Sequence, residues 1–92
     1  MFVMVAYDVP AKRTEKYRKT LSRFLLSAQF SVFLGDLTEV QYRILHRDLN
    51  GLHKESDRVL IVITENRRNI RVVRWEDAGE KEETNHLGSL LL

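Results

Sequence analysis

One carboxylate stands where chemistry is easiest to place. The chain opens Met1-Phe2-Val3-Met4-Val5-Ala6-Tyr7-Asp8-Val9-Pro10, seven apolar or aromatic residues running into an acid. An unbroken run of this kind suits a strand covered on both faces. Pro10 cannot continue a ladder, so the strand is predicted to stop at about Asp8. That puts a lone acid at the carboxyl end of a central strand, a position where ligands often collect in open α/β sheets. Taken alone, Asp8 either does chemistry or simply orders the turn before Pro10. Cations follow at once. Lys12, Lys16, Lys19 and Arg23 recur at helical spacing, with Arg13 and Arg18 beside them, and Glu15 is the only acid among them. Six positive charges within 12 residues could neutralise several backbone phosphates, whereas a charged stripe is also what a solvated helix face looks like. Lys12, Arg13 and Lys16 lie nearest Asp8 in the chain and are the candidates for a phosphate beside it. Arg18, Lys19 and Arg23 would bind duplex backbone without reading sequence. Arg67, Arg68, Arg71 and Arg74 form a second basic cluster, for the same duplex or to guard an edge strand against aggregation.

Other chemistries find no residues. Without cysteine there are no disulfides and no thiolate metal sites, as suits a reducing cytosol. His46 and His53 are seven apart, roughly 10 Å along a helix, too far to share one ion. No serine–histidine–acid triad, glycine-rich phosphate loop or dinucleotide fingerprint is visible. The apolar start is too short for a membrane span and lacks a basic leader. A soluble, cytoplasmic protein with no membrane partner is expected.

The elements that must position Asp8 read as follows. Residues 11–28 are predicted helical, with Tyr17, Leu21, Phe24, Leu25 and Ala28 as the apolar stripe. Residues 29–37 read as one extended segment, Phe30, Val32 and Leu34 on one face and Gln29, Ser31 and Phe33 on the other, with Gly35 marking a bulge or bend. Thr38-Glu39-Val40-Gln41 has the capping-box pattern, so a second helix starts there. Tyr42, Leu45, Leu49 and Leu52 form its buried stripe, and Asn50-Gly51 ends it or begins its exit turn. Val59-Leu60-Ile61-Val62-Ile63 predicts a strand buried on both faces. A turn at 66–69 and a strand at 70–75 follow. Residues 76–86 carry five carboxylates against Lys81 and read as a mobile connector; the apolar end, 87–92, reads as a docking tail. With 92 residues there is one modest core, which a partner subunit would help to stabilise. The simplest closure is α+β: a ferredoxin-like β-α-β-β-α-β domain over 1–76, two helices on one face of a mostly antiparallel sheet, with an additional C-terminal strand. Residues 77–92 make the connector and tail.

Three features together resemble the CRISPR-associated Cas-two family, whose dimer sits at the centre of the spacer-acquisition complex. They are the first strand ending Tyr7-Asp8-Val9, the basic helix directly after it, and Gln29-Phe30-Ser31-Val32-Phe33-Leu34-Gly35, similar to that family's Gln-x-Ser-Val-Phe-x-Gly segment. The resemblance covers residues 1 to about 76. It implies a homodimer, binding of duplex DNA or single-stranded RNA, partnership with the CRISPR integrase, and magnesium-dependent endonuclease activity, with manganese as a substitute. It also implies that Asp8 holds the metal opposite the Asp8 of a second subunit, with Ser31 and Phe33 beside it as further catalytic positions. Two such carboxylates need a cation to neutralise them, and that cation could activate a water. The alternatives are a scaffold of the same complex with no chemistry, a toxin-type messenger-RNA endoribonuclease of similar fold, and a ferredoxin-like module that binds a small effector.

Overall fold

The computed structural model describes residues 1–76 and 79–83. Strand β1 (Phe2–Asp8) is followed by a 3-10 turn (Ala11–Arg13) and helix α1 (Thr14–Ser22). A hairpin of β2 (Leu26–Gln29) and β3 (Val32–Asp36) leads to helix α2 (Glu39–Leu52) and strand β4 (Arg58–Thr64). A second 3-10 turn (Arg67–Asn69) precedes β5 (Val72–Glu76) and β6 (Gly79–Glu83). The main sheet has the order β2-β3-β1-β4; β1 runs antiparallel to both neighbours, and β3 antiparallel to β2. This is the ferredoxin-like α+β arrangement expected from the sequence.

Both helices lie on one face of the sheet, and the register sorts the side chains. Val3, Val5 and Tyr7 of β1 point to the helices and join Tyr17 and Leu21 of α1, Leu45 and Leu49 of α2, and Phe33 in one buried cluster. Phe2, Met4, Ala6 and Asp8 alternate to the other face. There Phe2 and Leu34 are buried under Ala28, Met4 and Ile70, so Ile70 covers the Phe2 end. Toward Asp8 the same face is open: Leu60 is 59% and Val62 42% exposed. The expectation that β4 is buried on both faces therefore fails. It is an edge strand with helices on one side only, and aliphatic sequence cannot report which sheet face has a cover.

Helix α1 also ends six residues before the predicted boundary. Leu25 and Ala28 keep the helical period, but the chain turns back at Arg23–Leu25, where Leu25 N–H and Phe24 N–H close on Leu21 O at 2.8 and 3.0 Å. It then becomes β2, so the predicted single segment 29–37 divides at a Phe30-Ser31 turn. Ser31 adopts φ 68°, the left-handed backbone a tight hairpin demands and a non-glycine residue seldom takes. Gly35 does not bulge; it pairs regularly with Val3, and the irregularity falls between Ser27 and Gln29. What Gly35 provides is room: a Cβ there would stand 3.1 Å from Leu25 Cδ2.

The capping box forms as predicted. Thr38 Oγ1 accepts from Gln41 N–H at 3.1 Å, and Gln41 Oε1 accepts from Thr38 N–H at 2.8 Å. Helix α2 continues through Asn50-Gly51 to Leu52, with His53 N–H bonded to Leu49 O at 2.9 Å. Within the stretch predicted to be a connector, 79–83 form β6, paired antiparallel with β5 from Val72↔Glu83 to Glu76↔Gly79. The predicted docking tail, 87–92, lies outside the described residues.

Candidate active site

Four chain segments meet at one end of the sheet. β1 finishes there at Asp8; β4, antiparallel to it, begins there with Arg58 opposite Asp8. β3 is also antiparallel to β1, so the Phe30-Ser31 turn arrives at the same end, and Tyr7 N–H is fastened to Ser31 O at 3.0 Å. Val9-Pro10 then carries the chain into the turn that holds Lys12 and Arg13. A depression of about 220 Å³ opens here, lined by Ala6, Tyr7, Asp8, Arg58, Val59 and Leu60. Asp8 is exposed on the helix-free face, and its carboxylate has no hydrogen bond or ion pair to another described side chain.

The other predicted site residues are dispersed. Phe33 is 2% exposed and lies on the helix side of the sheet, its ring 6.3 Å from Tyr7. It supports the core beneath β1 and does not share a surface with Asp8. Ser31 is in the turn, not on the face of a strand. Burial pushes the Tyr7 phenol above its ordinary pKa, and a hydrogen bond from the Ser31 side chain opposes the rise.

Arg13 is the largest correction among the cations. Expected beside a phosphate, it turns inward instead. Its Nε donates to both Asp57 oxygens at 3.0 Å, a terminal nitrogen lies 2.9 Å from Oδ2, and that nitrogen also donates to Leu52 O at 2.6 Å. Tyr17 O–H donates to Asp57 Oδ2 at 2.8 Å and Lys54 N–H to the same atom at 3.1 Å. The side chain of Asp57 has no solvent exposure, so these donors take the place of the water it has lost. The Arg13 bond, ahead of the others, holds the Asp57 carboxyl down at about 2. Tyr17 is pushed up to about 12, first by burial and then by its bond to the same carboxylate. The sequence offered one sign of this network: Arg13 stands four residues before Tyr17, on the same inward helical phase. Asp57 is 44 residues from Arg13, and no local pattern joins them.

The remaining cations face solvent. Lys12, Lys16 and Lys19 are exposed or nearly so and form no ion pair with another described residue. Arg18 is paired with Glu15 one turn back. Arg23 lies over the Phe24 ring at 5.4 Å and 3.5 Å from Asp48 of α2. At 100° per residue, Lys16 and Lys19 fall within roughly 60° of each other on α1, away from the buried Tyr17 and Leu21, while Lys12 lies in the 3-10 turn before the helix and Arg23 just past its end. Of the predicted stripe, the helix carries Lys16 and Lys19; Lys19 also acts on the Glu15 carboxylate, which it helps to hold below its ordinary pKa behind the leading Arg18 bond.

Among the described residues, no group of three or more His, Cys, Asp or Glu comes together to hold a metal ion. Asp8 has the right donor type and an open approach for magnesium, but it is one carboxylate where that ion wants oxygen ligands all round. A single chain thus supplies part of a site.

The fold is thus a four-stranded ferredoxin-like sheet with an exposed carboxylate at the end of its first strand and a basic helix directly after it. The family profile for CRISPR associated protein Cas2 matches residues 1–71. The chain is 38% identical over 80 residues to a CRISPR-associated endoribonuclease Cas2 of Haloferax volcanii, covering 87% of this chain and 93% of that protein. A protein of the same name from Methanosarcina acetivorans is 30% identical over 89 residues, with 95% and 99% covered. A solved crystal structure of a Cas2 protein superposes with a TM-score of 0.64 at 40% identity over 67% of this chain and 71% of that one. The Streptococcus pyogenes Cas2 structure, 24% identical with a TM-score of 0.63 over 70% and 86% of the two chains, shares the fold. This chain belongs to the Cas2 family.

Proposed function

We propose that the protein acts as a homodimeric endonuclease of CRISPR adaptation, hydrolysing phosphodiester bonds in RNA or duplex DNA. In this reading it is cytoplasmic and serves beside the CRISPR integrase as the central, duplex-binding scaffold. The observation that carries the reading is Asp8: exposed, without an ion pair to another described residue, and at the end of β1 on the sheet face opposite the two described helices. The apolar surface next to it, Leu60 and Val62, suits a second copy of the chain, and a two-fold axis there would bring two Asp8 carboxylates together. The residues to hold magnesium, or manganese in its place, are then Asp8 and its symmetry mate. Once bound, the cation would supply charge neutralisation for the phosphate and acidify a coordinated water. Lys12 is the lysine nearest Asp8 along the chain, and Lys16 and Lys19 continue the cationic track along α1, where they would hold the backbone without reading bases. The names of the relatives support RNA as one substrate.

The test is the Asp8→Asn variant, which keeps shape and removes the charge. Purified wild type and variant would be incubated with single-stranded RNA and with duplex DNA, with magnesium and with chelator. The expected result is metal-dependent cleavage by the wild type, loss of at least about 100-fold in the variant, and retained nucleic-acid binding. Cleavage by the variant at the wild-type rate would remove Asp8 from the chemistry. Binding without cleavage by either protein would leave a scaffold alone.

A further inference from the structure

We infer that Arg58 is the phosphate-binding residue of the Asp8 site, gripping the nonbridging oxygens of the phosphodiester presented there. This rests on reading that site as a nucleic-acid site, and it gives the role sought for Arg13 to a residue 45 positions further along the chain.

The placement follows from register. Asp8 and Arg58 are direct partners across the β1–β4 ladder, and directly opposed residues project to the same face. Both line the one depression of about 220 Å³. Both are exposed, and no ion pair joins them to each other or to any other described residue. An arginine and an aspartate side by side but unpaired present both signs of charge to an incoming ligand. A phosphodiester with its counter-cation is such a ligand: the anion suits the guanidinium and the cation suits the carboxylate.

The neighbouring charges sharpen the assignment. Asp57, next in sequence to Arg58, is the nearest acid along the chain. Its carboxylate is wholly occupied by Arg13, Tyr17 and the Lys54 N–H on the other side of the strand, so it does not neutralise Arg58. Arg13 is held in the same network and cannot reach a ligand. Lys12 remains, but an ammonium is a point charge on a flexible stem, whereas the arginine fork matches two phosphate oxygens at once. β4 is the edge of the four-stranded sheet, which leaves a lateral approach for a polymer.

The experiment separates binding from cleavage. Asp8→Asn and the double variant Asp8→Asn/Arg58→Ala are titrated with a labelled single-stranded RNA and a labelled duplex DNA at a series of salt concentrations. Losing one phosphate contact should weaken binding about tenfold and reduce the log–log salt slope by roughly 0.7 for the single strand or 0.9 for the duplex. Asp8→Asn/Arg58→Lys should restore the slope, because the charge returns, and Arg58→Lys in the otherwise native chain should cleave more slowly than the wild type, because the fork does not. Equal affinity and equal slope in the two titrated proteins would overturn the assignment. So would a fall in melting temperature or in oligomer size with Arg58→Ala that accounts for the lost binding. If Arg58→Ala weakens binding as expected and Asp8→Asn leaves cleavage intact, the nuclease reading fails and the phosphate contact stands.

Discussion

Asp57 shows how much one buried side chain can decide. Its carboxylate gathers the turn after β1, through Arg13; helix α1, through Tyr17; and the loop from α2 to β4, through Lys54 N–H. His53 adds a contact at 2.9 Å to Asp57 O. The segment carrying Lys12 and the start of β4 carrying Arg58 are therefore fixed relative to each other by one acid. A carboxyl held down at about 2 in the fold favours the folded state once it would be ionised in the unfolded chain. That stabilisation is complete above about pH 4 and disappears as pH falls through about 2. The Tyr17 phenol, pushed up to about 12, has the opposite sign: its contribution is present below about pH 10 and is lost as pH rises through about 12. Asp57→Asn should flatten the acid limb of a melting-temperature profile over that window. It should also lower the neutral-pH midpoint by roughly 10 °C, since it leaves Arg13 half-partnered in a buried place. Calorimetry across pH 2–7 measures both effects, and an unchanged acid limb would show that the network carries no linkage.

At the scale of elements, α1 divides its labour by angle. Tyr17 and Leu21 enter the core, Glu15 and Arg18 pair along one flank, and the lysines occupy the other. The exposed Glu15–Arg18 pair adds little to stability but removes Arg18 from the free charge. The loss of duplex binding on reversing charge should therefore be steep on the lysine flank. Changing Lys16 and Lys19 together to Glu should weaken duplex affinity by at least about tenfold at low salt and flatten its salt dependence by roughly two contacts, with no change in sequence preference. Fluorescence anisotropy at several salt concentrations gives the answer, and an unaltered slope would remove this flank from the interface. The same helix shows why a periodic pattern overruns. Leu25 and Ala28 keep the helical period, yet Ala28 lies in β2 and Leu25 just before it, where the bare Gly35 of β3 leaves room for the Leu25 side chain.

For the whole molecule, the one-sided layering matters most. Among the described elements, two helices cover one sheet face, Ile70 covers the Phe2 end of the other, and Leu60 and Val62 are exposed on that face, Leu60 sharing a depression with Asp8. Contiguous apolar surface next to a charge in need of a mate is what a symmetric dimer uses. If the proposed dimer forms through this surface, Leu60→Glu should leave a monomer in sedimentation equilibrium and abolish the proposed cleavage without unfolding the chain, because Leu60 is not among the residues of the helix-side core. A dimer that persists with this substitution would place the two-fold contact elsewhere and separate the two Asp8 residues.

Periodicity and local chemistry in the chain by themselves determined the strand into Asp8, the cap at Thr38, the stripe of α2 and the lysine flank of α1. Each of these depends on residues within about one or two turns of one another, where spacing alone sets direction. The tertiary structure decided the rest. It sent Arg13 inward to an acid 44 residues away, put Phe33 under the sheet instead of beside Asp8, left one face of β4 bare and set Arg58 opposite Asp8. Those outcomes turn on which face of the sheet is covered and which strands become neighbours. No stretch of sequence carries that information, because it arises only when segments far apart compete for the same contacts.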